Sequence, residues 1–223
     1  MSKSLKIGIV DLGISNITSV YNAFTKIGFS CYYLKGNNHD IQVNVIVLPG
    51  VGNFGYLAHC LSNSTLKAKI LEHHKRRAPI IGICLGMQIL FDSSHESPLS
   101  DGLGIISGKV RSLRTEASPE CERSVPNIGY NAVSVLDGAT SYFHEKLTKR
   151  SGYYYFLHSY AMFDKQPDID LEGITKFGDK EFLAFFLKDN ICGVQFHPER
   201  SGEKGLFFLE QIMDYFERNR GQF

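Results

Sequence analysis

Short apolar runs alternate with helical patterns in the first half of the chain. Four runs of four to six residues, rich in β-branched or aromatic side chains, favour buried strands. They are 6–10, 29–34, 43–48 and 80–83. Between and after them, apolar residues recur every three or four positions, as in amphipathic helices. These segments are 15–27, 66–77 and 85 to about 91. Strands separated by helices are typical of a parallel sheet covered on both faces.

The second half is richer in strand-like segments that lie close together. They are 104–113, 130–136, 153–163, 183–187 and 191–196. The polar turn at 188–190 predicts an antiparallel hairpin between the last two. A loop-like stretch covers 114–124, and an amphipathic helical stripe covers 205–218. We therefore expect an α/β fold with a mostly parallel, twisted sheet flanked by helices, antiparallel strands in the C-terminal half, and a single domain over 1–223.

Composition removes several classes of function. The 223 residues include 24 Lys or Arg and 23 Asp or Glu, so the net charge of +1 gives no attraction towards nucleic acid or an anionic membrane. The longest apolar stretch, 78–91, is too short to span a bilayer, and no signal peptide is visible. We expect a cytoplasmic protein.

Cysteine usage points away from a disulfide framework or a zinc site. The five cysteines form an odd set without a Cys-x-x-Cys pair. We expect most of them to be buried apolar residues. The five are Cys31, Cys60, Cys84, Cys121 and Cys192.

One cysteine lies in a sequence context that favours chemistry. An apolar strand leads into Gly82-Ile83-Cys84-Leu85-Gly86 and an apolar helix leaves it. This strand–turn–helix arrangement resembles a nucleophile elbow with Cys in place of Ser. A helix N-terminus favours the thiolate, and the Leu85 amide is free to donate to an oxyanion. Taken by itself, this pattern is explained equally well by a buried cysteine that has no catalytic role and lies in a glycine-rich turn.

A second pattern supplies a base. The segment 193–199 predicts a strand that ends at His197, with Glu199 two residues later. Pro198 favours an extended conformation at His197. Glu199 can then bind one ring nitrogen while the other faces a nucleophile, as in a catalytic triad. His39, His73 and His74 lie in polar or charged contexts and are interpreted as surface residues.

A glycine-rich loop follows the third predicted strand. Residues 50–55 match G-x-G-x-x-G, and Glu72 lies at roughly the distance of a ribose-binding carboxylate, so dinucleotide binding is one interpretation. That fingerprint belongs to the first strand of such folds, however, and Pro49 occupies the turn. A loop that offers backbone amides to an oxyanion beside Cys84 is the preferred interpretation.

Together these motifs resemble the class I, triad-type glutamine amidotransferases, and among them the glutaminase subunits of imidazole glycerol phosphate synthases. The similarity runs almost from end to end. The matching segments are 11–16, 49–52, 82–88, 126–131, 155–160 and 195–202. Differences from the family pattern include Leu12, Ser15, Tyr130, Ala161 and Phe177. They lie outside the triad and concern which synthase the chain serves.

The resemblance implies a role for each matching residue. It implies a catalytic triad of Cys84, His197 and Glu199, with oxyanion donors at Leu85 and at Val51 or Gly52. It further implies that Gly52 also helps to hold L-glutamine. The other implied glutamine-binding residues are Gln88, Ser159 and Tyr160. No metal and no organic cofactor is implied.

The resemblance also implies a partner. This is a (β/α)8-barrel synthase subunit in a heterodimer, with Asn16 at the interface and ammonia passed between the subunits. The preferred function is therefore the glutaminase of histidine biosynthesis. Three alternatives stay open: a related glutaminase that supplies a surface-polysaccharide sugar amidotransferase, a dinucleotide-binding protein, and a scaffold subunit without turnover.

Overall fold

The structure is a computed structural model that describes residues 4–13, 16–36, 41–118, 124–136, 146–147, 152–164 and 169–219. Some sequence-based expectations lie outside these residues. They concern Ser15, His39, Cys121 and most of the second half of the loop at 114–124.

Nine strands form one mixed sheet. In chain order they are β1 (Lys6–Val10), β2 (Ser30–Leu34), β3 (Val45–Gly50), β4 (Ile80–Cys84), β7 (Asn127–Val135), β8 (Gly152–His158), β10 (Leu171–Phe177), β11 (Lys180–Lys188) and β12 (Ile191–Val194). Their order across the sheet is β2-β1-β3-β4-β12-β11-β10-β7-β8. Three short strands form a second sheet: β5 (Ser93–Ser94), β6 (Lys109–Ser112) and β9 (Tyr160–Ala161).

Six α-helices that lie wholly within the described residues accompany the strands. They are α1 (Ile17–Lys26), α2 (Phe54–Ser62), α3 (Thr65–Lys75), α4 (Leu85–Gln88), α5 (Leu113–Glu116) and α6 (Gly202–Arg218). A 3-10 turn, Pro198–Arg200, precedes α6. None of these described helices combines the length and apolar character that crossing a bilayer requires.

The large sheet separates two apolar cores. Along β3, Val45 and Val47 belong to the core that contains α1 and α6, whereas Ile46 and Leu48 belong to the core that contains α2 and α3. Successive side chains of a strand point to opposite faces, so a strand covered on both faces is apolar at every position. This explains the uninterrupted apolar runs of the first half.

The two halves of the sheet meet at β12. It pairs in parallel with β4 on one side and antiparallel with β11 on the other. The predicted hairpin is present: Lys188 pairs with Ile191, and Asp189, at φ 50°, lies in the turn. The expected α/β class, with parallel strands in the first half and antiparallel strands later, is confirmed.

The predicted strand at 104–113 is wrong over most of its length. Only Lys109–Ser112 is a strand, and Leu113 begins α5. The amides of Leu103 and Ile105 instead donate to the carbonyls of Ile89 and Leu90, at 2.7 and 2.9 Å. Those hydrogen bonds satisfy the backbone carbonyls just after α4, which have no partner within the helix. Residues 103–105 therefore pack against the end of α4 and do not form a strand, despite their apolar side chains.

Strand β10 and helix α2 were not among the predicted elements, and neither were the short elements β5 and α5. In β10 the buried positions include Gly173 and Thr175, which carry little apolar signal. A Cβ at Gly173 would lie 2.0 Å from the Phe185 ring, so the absence of a side chain at this position leaves room for that ring. Helix α2 directly follows the glycine-rich loop. Its start is fixed by Asn53, whose side chain accepts from the Tyr56 amide at 3.0 Å.

Candidate active site

Cys84 lies on a sharp turn between β4 and α4. Its φ of 54° and ψ of −110° are rare for a residue with a side chain. Such a conformation persists only where surrounding contacts fix it, and it is found at functional sites. Cys84 is nevertheless largely buried, with 4% of its surface exposed.

Three glycines permit this turn. A Cβ at Gly86 would lie 1.7 Å from the Leu48 carbonyl oxygen, and one at Gly82 would lie 2.5 Å from the Gly86 oxygen. A Cβ at Gly50 would meet the Gly86 nitrogen at 2.6 Å. Strand, turn and helix are thus in backbone contact at three points, as a nucleophile elbow requires.

His197 and Glu199 form a buried pair beside the turn. The His197 backbone is extended, with φ −101° and ψ 93°, and Glu199 lies in the 3-10 turn that follows. The imidazole Nδ1 is 2.8 Å from Glu199 Oε1, and both side chains are almost fully buried. A carboxylate at that distance orients the ring and stabilises its cationic form.

The charge state of His197 depends on its neighbours. Burial alone would lower the pKa of the imidazole, but the Cys84 thiolate and, more weakly, the Glu199 carboxylate raise the pKa of His197 to about 10. The His197 Nε2 atom is buried without a hydrogen-bond acceptor or donor in the described residues. Cys84 therefore interacts electrostatically with His197, as a nucleophile and its base would.

A cleft of about 190 Å³ opens beside Cys84. It is lined by Val51, Gly52, Cys84, Leu85, Gln88, Glu96, Pro126, Leu157, His158, Ser159 and Tyr160. Every residue predicted for the oxyanion and glutamine sites is in this set. Because Leu85 is the first residue of α4, its amide has no acceptor within the helix and is available to a ligand.

Two glutamine side chains connect the wall of the cleft to Cys84. The Gln88 amide nitrogen donates to the Tyr160 carbonyl at 2.8 Å and to Gln195 Oε1 at 3.0 Å. The Gln195 amide nitrogen then lies 3.7 Å from Cys84 Sγ. Gln195 belongs to the family motif at 195–202, but no role was predicted for it.

His158 is a second residue without a predicted role. Its Nδ1 lies 2.9 Å from the Tyr160 carbonyl oxygen, which can only accept, so Nδ1 carries the proton. Its Nε2 accepts from the Asn127 side chain at 3.1 Å. Burial lowers the pKa of His158 to about 4, although the Tyr160 carbonyl opposes the effect and His197 adds to it. His158 is therefore neutral and fixed in one tautomer.

Glu96 is the acidic residue of the cleft. Its Oε2 accepts from the Phe54 amide at the start of α2, at 2.7 Å. The contact joins residues 42 positions apart in the chain, so no local pattern could have revealed it. A carboxylate here gives the cleft a group that can bind an ammonium.

Two predicted elements contribute differently. Asn16 is exposed at the beginning of α1, makes no side-chain cap, and is not among the residues that line the cleft. The glycine-rich loop lies against the elbow, since Gly50 pairs with Cys84 in the sheet and Gly52 lines the cleft. Its position favours the oxyanion interpretation over dinucleotide binding.

No group of three His, Cys, Asp or Glu side chains in the described residues is placed to hold a metal ion.

Comparison with known proteins identifies the family of the chain. The family model described as glutamine amidotransferase class-I matches residues 8–213. The chain therefore belongs to the class-I glutamine amidotransferase family, and the resemblance inferred from its motifs is confirmed.

Two relatives and one solved structure illustrate the similarity. The chain is 40% identical over 208 residues to imidazole glycerol phosphate synthase subunit HisH of Pyrococcus furiosus, covering 93% of this chain and 97% of that protein. It is 32% identical over 217 residues to imidazole glycerol phosphate synthase hisHF of Schizosaccharomyces pombe, covering 93% of this chain and 38% of that longer protein. A structure of PurLQS from Thermotoga maritima superposes with a TM-score of 0.71 at 22% identity, covering 96% of this chain and 100% of that chain, which supports the fold.

Proposed function

We propose that this chain is the glutaminase subunit of an imidazole glycerol phosphate synthase. In this role it hydrolyses L-glutamine to glutamate and passes the ammonia to a synthase partner. The observation that carries the proposal is that Cys84 lines the cleft and also interacts with His197, which is paired with Glu199. The similarity to proteins named as HisH subunits supports the pathway.

The reaction follows from the arrangement of the site. The Cys84 thiolate attacks the side-chain amide carbon of glutamine and forms a tetrahedral oxyanion. The Leu85 amide and an amide of the Val51–Gly52 turn donate to that oxyanion. The His197 imidazolium gives its proton to the departing ammonia, leaving a γ-glutamyl thioester.

Water completes the cycle. His197 is neutral after the first step and accepts a proton from water as it attacks the thioester. Collapse of the second oxyanion breaks the carbon–sulfur bond, releases glutamate and restores the thiolate–imidazolium pair. Glu199 orients the ring in both steps.

Substrate binding is assigned to the remaining cleft residues. The Glu96 carboxylate is suited to the α-ammonium of glutamine, because opposite charges attract strongly in a partly desolvated cleft. Gly52, Gln88, Ser159 and Tyr160 are proposed to hold the rest of the amino acid.

The exposed face of the β7–β8 hairpin is proposed as the surface that binds a (β/α)8-barrel partner. Ile128, Tyr130 and Tyr153 are 58%, 56% and 65% exposed, and the strand register places them on one face. The same face continues to Leu157, which lines the cleft. Exposed apolar patches beside a site mark interaction surfaces, and a partner here would cover the exit of the cleft.

The names of the relatives support two cooperating parts. The P. furiosus protein is named as a subunit, whereas the longer S. pombe protein is named as a hisHF synthase. Ammonia released into neutral water becomes ammonium and loses its nucleophilicity. Direct transfer to a bound partner avoids that loss.

The test is glutamate release by the purified chain, with and without the barrel subunit of the synthase from the same genome. We expect low activity alone and an increase of at least about tenfold with the partner, by analogy with gated catalytic sites. Cys84→Ser should abolish activity, whereas Cys60→Ser, at a half-buried position on α2, should not.

Three outcomes would contradict the proposal. Full activity alone, unchanged by the barrel, would remove the partner assignment. Activation only by the synthase part of a sugar amidotransferase would move the chain to the polysaccharide pathway. A glutamine-analogue electrophile that labelled several cysteines equally, and not Cys84, would count against the nucleophile itself.

A further inference from the structure

Gln195 contacts two residues that line the cleft, Gln88 and the nucleophile Cys84. It follows β12 directly, is 0% exposed, and its backbone amide donates to the Ala184 carbonyl at 2.8 Å. Its amide nitrogen is 3.7 Å from Cys84 Sγ. We propose that Gln195 is a further catalytic residue, whose N–H donates to the Cys84 sulfur and stabilises the thiolate.

Neighbouring groups determine which end of the Gln195 amide faces the sulfur. The Tyr160 carbonyl can only accept, so Gln88 presents its NH2 group to it. The same NH2 group can only donate, so Gln195 presents its oxygen to Gln88. The Gln195 NH2 group therefore faces Cys84 Sγ, in an orientation that derives from a backbone carbonyl.

The sulfur has three polar neighbours. The Leu157 carbonyl oxygen, at 3.7 Å, accepts from the protonated thiol, whereas His197 and Gln195 act on the thiolate. His197 supplies charge and a proton, whereas Gln195 supplies a donor that carries no charge and gives up no proton in the reaction. A hydrogen bond to the charged form of an acid favours that form. Gln195 therefore stabilises the Cys84 thiolate before it attacks glutamine and again as it leaves the thioester in the second step.

Besides the Tyr160 phenol, four ionisable groups lie around Cys84 in the described residues. His197 and, behind it, Glu199 follow β12; neutral His158 comes from β8, and Glu96 lies across the cleft. A substitution at Gln195 leaves all four in place. A change in the pH dependence of Cys84 would then report the lost donor.

The test measures alkylation of Cys84 by iodoacetamide as a function of pH, quantified on the Cys84 peptide by mass spectrometry. Gln195→Met keeps the volume of the side chain and removes the donor. We expect the midpoint pH of alkylation to rise by about one unit, the size of a hydrogen bond to a charged group. Above the midpoint the rate should increase about threefold, because a less stabilised thiolate is more nucleophilic.

Gln195→Glu provides the second variant. It has the same shape, and one oxygen still accepts from Gln88, but a carboxylate oxygen replaces the NH2 group that faces the sulfur. The midpoint should rise further than in Gln195→Met, since like charges repel. This variant keeps the inference testable if the Met variant does not fold.

Gln211→Met is the matched control. Gln211 is a buried glutamine on α6, with 4% exposure, and lies outside the cleft. Its substitution should change the free energy of unfolding and leave the alkylation midpoint unchanged. A midpoint that stays at the wild-type value in both Gln195 variants would overturn the inference and reduce Gln195 to a packing residue.

The inference rests on Cys84 as the nucleophile of the proposed function. Alkylation requires no glutamine turnover, so the profile can be measured even if the chain hydrolyses no glutamine. A failed glutaminase assay with a shifted midpoint would retain the role of Gln195 at the thiolate. An unshifted midpoint in an active enzyme would remove that role alone.

Discussion

In the parallel half of the sheet, β1, β3 and β4 are covered on both faces, whereas in the antiparallel half the β7–β8 hairpin exposes one face. The parallel half provides the elbow at Cys84 and the loop at Val51 and Gly52. The antiparallel half provides one wall of the cleft and the exposed aromatic face. The parallel half therefore holds the backbone groups of the site in place, whereas the antiparallel half presents a surface to which a partner can bind.

The largest effect is expected where the two halves meet. His197→Ala should lower glutamine turnover by about a thousandfold, because His197 transfers the proton. Glu199→Gln should lower turnover by about a hundredfold, because Glu199 only orients the imidazole. Steady-state kinetics of glutamate release with the partner present would measure both. An equal loss, or a larger one at Glu199, would contradict the roles assigned to this pair.

Tolerance of extra volume should also differ between the halves. Gly86→Ala forces a Cβ against the Leu48 carbonyl and should lower the free energy of unfolding by about 3 kcal/mol or more. Gly152→Ala on β8 meets only the flexible Lys204 side chain, at 3.2 Å, and should change it by less than about 0.5 kcal/mol. Urea unfolding compares the two. Similar values would mean that the elbow is not closely packed.

Partner affinity should depend on the antiparallel half. Ile128→Ser and Tyr153→Ser remove exposed apolar side chains, so each should weaken binding of the barrel subunit about tenfold with little effect on stability. Tyr32→Ser, on the edge strand at the opposite end of the sheet, is the control and should leave affinity unchanged. Isothermal titration calorimetry gives the dissociation constants. If Tyr32→Ser weakened binding as much, the partner would lie elsewhere.

The smallest effect concerns acid stability. The pKa of His158, about 4 in the fold, lies below the usual 6.5, so the unfolded chain binds a proton that the folded chain does not. The free energy of unfolding should therefore fall as the pH drops from about 6.5 to about 4. His158→Gln should reduce the slope of the unfolding free energy against pH by up to the contribution of one bound proton per molecule.

His197 does not interfere in that window. The pKa of its imidazole is raised to about 10, so it is protonated in both states below pH 6.5, and its stabilisation is lost only as the pH rises towards 10. Urea unfolding at several pH values measures the slope. An identical slope in His158→Gln would show that other groups cause the acid sensitivity.

Local sequence was sufficient for the elements that carry the chemistry. The glycines around Cys84 and the Pro198 that follows His197 act on their own neighbourhood, so their consequences can be derived from short segments. The same holds for the uninterrupted apolar runs of the parallel strands, which are buried on both faces. These features predicted the fold class and brought the correct segments together.

Other features depend on contacts between distant segments. Glu96 reaches the start of α2, and residues 103–105 satisfy carbonyls after α4. Strand β10 conceals its burial because Gly173 is matched to Phe185. In each case the local residues carry weak or misleading preferences, and the fold decides. Gln195 was visible in a motif, but its role follows only from where its amide points.

The pairing of β4 with β12 has a consequence for how this gene can change. Ile83 pairs with Val194, so the nucleophile lies one residue beyond the paired position and the base three residues beyond it. One codon gained or lost within either strand would displace its catalytic residue by about 3.3 Å and turn the following side chains to the opposite face. Length variation among descendants of this chain should therefore accumulate in its surface loops, and be purged from the codons for 80–84 and 191–199.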